Sequence, residues 1–274
     1  MDESDVMALL DAAEPPLVTC RRLFFGQPAA QPPPLALLPA DAAASLFNTG
    51  FTVLHGLLPR AATAAARSEA LALSAAGALR SAAETAHAAP NPGGKAFTDA
   101  SARGDDMTWL HPGEPPASGA PGLTSALELL TTLRDDLAKV LRLQGATEFQ
   151  LAVYPAGSGA SYARHRDAFP EDGGGAGGGQ RRVTLVVYAS GEEGWDEERD
   201  GGALVLYPPS HGAQNGSDDA NERGPAEGGG GGGAARVVVS PAAGDVVVFL
   251  SGCVEHEVAP VRGAPRVAVS CWCS

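Results

Sequence analysis

Apolar residues change their rhythm about half-way along the chain. Between residues 124 and 143, Leu127, Leu130, Leu133, Leu137, Val140 and Leu141 recur at steps of three and four. That spacing puts them on one stripe of a helix with the charges opposite. Upstream, Phe51-Thr52-Val53-Leu54 reads as a short strand. After Pro59, a residue suited to a first helical turn, an alanine-rich stretch predicts a helix running to about His87. Residues 88–122 are rich in Pro and Gly and read as loop around a short strand near Thr108-Trp109-Leu110.

From about residue 148 the pattern turns to short β-rich runs: Phe149–Tyr154, Ser161–Asp167, Arg182–Ala189, Ala203–Tyr207, Arg236–Val239, Asp245–Leu250, Val254–Val258 and Arg266–Trp272. Short strands with turn residues between them predict a sandwich or jelly roll. Two segments interrupt the series. One is a Gly-rich loop at 172–180, and the other a polar stretch at 209–235. The latter cannot bury enough apolar surface to order itself and is expected to be a disordered insertion. Residues 1–45, with Gln31-Pro32-Pro33-Pro34, read as a flexible or irregular lead-in, and residues 46–274 as one domain.

Composition narrows the function classes. The 274 residues, 44% hydrophobic, suffice for one sizeable core. A net charge of -13 disfavours tight nucleic-acid binding, because phosphate backbones attract positive surfaces. Cys20, Cys253, Cys271 and Cys273 show no disulfide-framework spacing. Cys271 and Cys273 flank Trp272 in a strand and point the same way, a poor geometry for a mutual bridge. The acidic start lacks a basic region followed by an apolar core, and no apolar run reaches the ~20 residues of a membrane span. The expectation is a protein of the cytoplasm, the nucleus or both, without a membrane partner.

The candidate chemistry begins at His165-Arg166-Asp167, followed about ninety positions later by His256. Residues two apart in a strand share a face, so His165 and Asp167 can point into one cavity. A second imidazole from a neighbouring strand completes two histidines and a carboxylate on one side of a metal. That set leaves positions open for iron(II) to hold an oxoacid and dioxygen. A histidine and an aspartate two apart are common, and the company carries the weight. Arg266, ten positions after His256, opens an alternating strand, and its planar fork suits a carboxylate. Ser270 faces the same side of that strand. Arg262 competes with Arg266, but it lies in a Pro/Gly turn. His55, His87, His111 and His211 fall outside these patterns and are expected to be ordinary.

With these residues in view, the chain resembles the prolyl 4-hydroxylase branch of the iron(II)- and 2-oxoglutarate-dependent oxygenases, most of all the hypoxia-inducible-factor prolyl hydroxylases. The resemblance runs through most of residues 47–273. Phe47–Leu54 is similar to that family's opening strand, and Arg103-Gly104-Asp105-Asp106-Met107-Thr108-Trp109 to its R-G-D-x-I-T-W segment. Tyr154-Pro155 through Tyr162-Ala163-Arg164-His165-Arg166-Asp167 is similar to the metal-binding strand with its leading Y-P-G. Val183–Tyr188, Gly201–Pro208 and His256-Glu257-Val258-Ala259-Pro260 match the strands and the H-E-V-x-P that follow.

The resemblance implies a fold that is mainly β, with a double-stranded β-helix (jelly roll) core supported by two N-terminal α-helices. It implies Fe(2+) on His165, Asp167 and His256, and 2-oxoglutarate anchored by Arg266 with Tyr188 and Ser270 and with Tyr154 nearby. It implies Trp272 near the substrate proline, and Arg103 and Asp105 on a mobile loop closing over a proline-containing peptide. Dioxygen as co-substrate, L-ascorbate as reductant, succinate and carbon dioxide as co-products and a part in the hypoxia response follow in the same way. Gly173–Gly179 departs from the family's short link at that point. Other readings are a silent jelly-roll binding module, an oxygenase acting on lysine, a small molecule or a nucleobase, and a cupin-type metal protein. The first would be expected to lose a ligand and the last to recruit a third imidazole.

Overall fold

The computed structural model describes residues 16–26, 34–82, 103–169, 180–191, 194–209 and 236–274. The Gly-rich loop, apart from Gln180, and the insertion, apart from Pro209, lie outside the described residues, as do His87, His211 and the proline-rich stretch up to Pro33.

The described strands form two antiparallel sheets. In the larger, β1 (Phe51–Leu54), β9 (Val246–Leu250), β6 (Val183–Tyr188), β11 (Arg266–Cys273), β4 (Thr147–Tyr154), β3 (Asp106–Leu110) and β2 (Arg80–Ser81) lie side by side in that order. The smaller runs β5 (Tyr162–His165), β10 (Glu255–Val258), β7 (Leu204–Tyr207), β8 (Val237–Val239). From β4 onward the chain passes back and forth between the sheets, which makes a double-stranded β-helix. Val246-Val247-Val248-Phe249-Leu250 is buried at every position. A strand covered on both faces has no reason to alternate, so its apolar run is continuous.

The longer described helices are α1 (Pro16–Phe24), α2 (Ala40–Thr49), α3 (Arg60–Ala75) and α4 (Pro121–Leu137), and the last three pack on the larger sheet. The leucine stripe of α4 is buried as its spacing predicts, with Leu123, Leu127, Leu130, Leu133 and Leu137 inside. Each such leucine contributes about 2 kcal/mol relative to exposure. The helix starts at Pro121 and ends at Leu137, earlier at both ends than expected. Alanine in α3 serves close approach: a Cβ on Gly122 of α4 would lie 2.1 Å from the backbone nitrogen of Ala66. Glu69 of α3 accepts hydrogen bonds from the amides of Gly122 and Leu123, at 3.0 and 2.8 Å, and so caps α4.

Three expectations are corrected. The alanine-rich helix ends at Ala75, because Gly77 takes φ 67 and turns the chain into β2. The lead-in at 1–45 is not irregular where it is described: α1 buries Leu17, Cys20 and Phe24, and α2 begins at Ala40. Among the described residues there are therefore four longer helices rather than two.

Candidate metal centre

The registers decide which side chains meet. Directly paired residues in an antiparallel sheet share a face. Arg266 pairs with Tyr154, Ala268 with Tyr188, Ser270 with both Gln150 and Val186, and Trp272 with Thr184. Arg266, Ser270, Trp272, Tyr154, Tyr188 and Thr184 therefore line one face of the larger sheet. In the smaller sheet His256 pairs directly with His165. The two imidazoles lie 4.3 Å apart between centroids, and Phe249 packs against His256 at 4.5 Å.

Asp167 joins them two residues past His165. Nε2 of His165 is 3.6 Å from Asp167 Oδ1, and Nε2 of His256 is 3.9 Å from Oδ2. One ligand atom from each of the three residues lies within 4.8 Å of the others. Among the described residues this is the one group of three metal-ligating side chains so placed. Each histidine turns Nδ1 to a backbone carbonyl two residues back, Ala163 at 2.8 Å and Val254 at 3.4 Å. A carbonyl only accepts, so the proton sits on Nδ1 and the Nε2 lone pair faces the cluster. Burial lowers the pKa of His256 to about 4, against the pull of Asp167, and keeps it neutral.

The carboxylate is gripped from the larger sheet. Thr184 Oγ1 donates to Asp167 Oδ2 at 2.7 Å, and Trp272 Nε1 donates to the same oxygen at 2.9 Å. Thr184 is in turn 2.8 Å from Ser251 Oγ. Burial acts to raise the Asp167 pKa, but His165, His256 and Thr184 outweigh it and hold the group ionised. Two imidazoles and one carboxylate with an oxygen still free form a donor set that fits iron(II).

Arg266 lies on the same face of the larger sheet as Thr184 and Trp272, and is 3% exposed. Its Nε donates to the carbonyl of Gly202 at 3.0 Å, and its guanidinium carbon is 4.9 Å from the Tyr154 ring and 5.1 Å from that of Tyr188. The Tyr188 hydroxyl is buried without a hydrogen-bond partner among the described residues. Burial raises both phenols, with Arg266 opposing, so each remains an O–H donor. A guanidinium beside an unsatisfied phenol suits the far carboxylate of 2-oxoglutarate. Gly202 has to be glycine: φ is 67, and a Cβ would come within 3.3 Å of Arg266 Cδ. Arg262 is exposed and reaches only the Glu198 carbonyl, at 3.5 Å.

Arg103 and Asp105 are not where a mobile loop would place them. Arg103 forms a bridge with Tyr162, and Gly104 N donates to Ser161 O at 2.9 Å, so the segment is stitched to β5. Ser270 is half-buried on the Arg266 face, and Trp272 donates to the Asp167 carboxylate. His55 pairs with Asp245 at 2.7 Å, and His111 is exposed. All four cysteines are free and buried, with the Cys271 and Cys273 sulfurs 3.6 Å apart. Thr184, Ser251, Gln150, Tyr162 and Gly202 were not singled out by sequence reasoning. The strand parity of Thr184 with Tyr188 was the available signal for one of them.

Comparison with known proteins agrees with this geometry. Residues 149–274 match the family model of the 2OG-Fe(II) oxygenase superfamily. Among solved structures, a prolyl-4-hydroxylase from Pseudomonas putida is similar at 27% identity and TM-score 0.59, over 85% of this chain and 97% of that one. A prolyl hydroxylase from Trichoplax adhaerens, solved with a hypoxia inducible factor oxygen degradation domain peptide fragment, shares the fold at 20% identity and TM-score 0.61, over 85% and 86%. So does the non-heme alpha ketoglutarate dependent epimerase SnoN from nogalamycin biosynthesis, at 17% identity and TM-score 0.53, over 85% and 79%. No curated protein matches the chain.

Proposed function

We propose that this chain, whose residues 149–274 belong to the 2OG-Fe(II) oxygenase superfamily, hydroxylates a prolyl residue in a protein substrate. The oxygenase chemistry rests on one observation above the others: His165, Asp167 and His256 converge, and Asp167 is bonded to Thr184 and Trp272 on the same face of the larger sheet that carries Arg266 and Tyr188. The prolyl assignment is supported by 27% identity to the Pseudomonas putida prolyl-4-hydroxylase across nearly the whole of that enzyme. The Arg103–Trp109 and His256–Pro260 motifs add to it.

His165, Asp167 and His256 would hold the iron, and Arg266 with Tyr188 the far carboxylate of 2-oxoglutarate. When bound, the iron supplies the oxidising chemistry by which 2-oxoglutarate, dioxygen and a C–H bond become succinate, carbon dioxide and an alcohol. The chain's own share is positioning and exclusion of water. Thr184 and Trp272 fix one oxygen of Asp167 and leave the other for the metal. Arg266, aligned by the Gly202 carbonyl, presents its remaining N–H groups to a carboxylate while the neutral Tyr188 hydroxyl donates beside it. The substrate proline would enter on the Trp272 side. L-ascorbate keeps the metal reduced in this reading, and a part in the hypoxia response belongs to the same reading.

The test is direct. Protein incubated with iron(II), 2-oxoglutarate and ascorbate forms succinate, and a panel of proline-containing peptides gains the mass of one oxygen. A panel in which only free amino acids, small molecules or nucleotides gain oxygen would overturn the prolyl assignment and leave the oxygenase chemistry standing.

A further inference from the structure

Arg103 and Asp105 are built unlike a surface ion pair. Asp105 is fully buried, and both its oxygens accept from Arg103, at 2.7 and 2.9 Å. Arg103 Nη2 also donates to Gln150 Oε1 on β4. The guanidinium is fixed in place by Asp105 and Gln150 beside the Tyr162 ring. Its central carbon lies 4.7 Å from the centroid of the Tyr162 ring. On that ring the imidazole of His165 is stacked, centroids 3.9 Å apart and planes 22° from parallel. The backbone repeats the connection through the Arg103–Tyr162 bridge. Gly104 leaves no slack, because a Cβ there would lie 3.1 Å from Ala160 Cα.

The two histidines need different amounts of support. His256 lies on an inner strand, its side chain 9% exposed, with Phe249 against its ring. His165 lies on the edge strand β5, its side chain 23% exposed, with the Ala163 carbonyl as its ring hydrogen-bond partner. A ring on an edge strand can swing about two side-chain torsions unless something meets its face. We propose that Asp105, Arg103 and Tyr162 form a stack whose purpose is to hold the His165 imidazole in its metal-binding orientation. In this view Arg103 and Tyr162 are positioning residues of the metal centre, before any peptide is bound. A cation over an aromatic face is attracted by the ring quadrupole, and that pins Tyr162 against His165. This inference rests on reading His165, Asp167 and His256 as metal ligands.

The experiment is a titration with Co(II) followed by visible absorption, without peptide or 2-oxoglutarate, on the full chain. Native protein should bind Co(II), and His165→Ala should not. Partners that orient a ligand typically change metal affinity about 10–100-fold. Tyr162→Leu, which removes the ring, should weaken Co(II) by at least about tenfold on that scale, and Arg103→Gln by somewhat less. Tyr162→Phe keeps the stack and should bind within about twofold of native, well under that scale. A merely structural role would lower the melting temperature of the metal-free variants and leave Co(II) affinity native. That result, or Tyr162→Leu binding as tightly as Tyr162→Phe, overturns the proposal. Should Arg103→Gln fail to fold, the two Tyr162 variants decide alone. Native protein that binds no Co(II), or His165→Ala that binds it equally well, removes the metal reading itself and the stack's purpose with it. A loss confined to Tyr162→Leu and Arg103→Gln cannot be mistaken for that failure.

Discussion

Two buried carboxylates show how structure and function divide within this molecule. Asp136 sits in α4, and its oxygens accept from the backbone amides of Ala36, Leu37 and Leu38 and from Lys139 Nζ, all at 2.7–3.0 Å. Asp167 sits at the seam between the sheets, where Thr184 and Trp272 occupy one oxygen and two imidazole nitrogens wait at 3.6 and 3.9 Å. Both groups are held well below the usual carboxylate range although burial acts to raise them. The first is saturated by donors and ties the amino-terminal segment to the helix layer. The second is half-saturated: Thr184 and Trp272 both donate to Oδ2, and Oδ1 faces the His165 imidazole. Saturation marks a fastening, and an ionised carboxylate left open beside two imidazoles marks a cation site.

The largest effect should come from changing Asp167. Asp167→Asn keeps an acceptor for Thr184 and Trp272 but removes the charge that a metal needs. Losing a ligand must cost more than losing its support, so succinate formation should fall by at least about 100-fold. Thermal unfolding of the metal-free protein should change little, because the hydrogen bonds remain. A large drop in melting temperature with turnover intact would make Asp167 another fastening and erase the contrast with Asp136.

Next in size is the anchor. Truncating one side of a buried charge pair costs several kcal/mol, so Arg266→Gln should raise the KM for 2-oxoglutarate about 100-fold. Arg262→Gln should leave that KM unchanged, since Arg262 is exposed and reaches only a carbonyl. Steady-state kinetics on the two variants decides between them. Equal effects would return Arg262 to contention. A smaller loss is expected from Thr184→Val, which frees the bound oxygen of Asp167 and should weaken metal binding about tenfold. Isothermal titration with iron(II) under anaerobic conditions reads it directly, and native affinity would show that Trp272 suffices alone.

The site was legible where strand periodicity fixes direction. His165 and Asp167 two apart, His256 in a later strand and Arg266 opening an alternating strand could all be placed from parity; the registers set His256 beside His165 and put Arg266 on the same face of the larger sheet as Trp272. The double-stranded β-helix was legible because its strands are short, apolar and punctuated. What parity cannot supply is a partner from another sheet. Thr184 reads as ordinary strand composition, and its bond to Asp167 depends on how the two sheets face each other. Ser251 is hidden for the same reason. Arg103 and Asp105 were found by resemblance but put on a mobile loop, because their attachment runs through Tyr162, more than fifty residues away. In the helix layer, alanine propensity argues for continuing past Ala75, and one glycine in the left-handed region overrides it. In α1 the spacing of Leu17, Cys20 and Phe24 was present, but so short a helix forms only where a core is waiting.

Asp136 should give the smallest effect on turnover and a clear one on stability. Asp136→Asn replaces a charged acceptor with a neutral one facing the same three amides and Lys139. The expected cost is about 2 kcal/mol at pH 7, the scale of a hydrogen-bond set losing its charge. Its pH dependence has a fixed sign. The folded pKa is depressed, so the stabilisation is present above the unfolded value of about 4 and is lost as the pH falls through that range and below. Urea unfolding should therefore show native protein more stable than Asp136→Asn at pH 7, with the gap narrowing toward pH 3. Specific activity at pH 7 should match native, because the tie lies in the helix layer outside the cavity. A gap that stays constant with pH would mean that shape, not charge, makes Asp136 a fastening. A loss of activity without loss of stability would mean that the helix layer and the seam are coupled, and the separation between the two carboxylates would be lost.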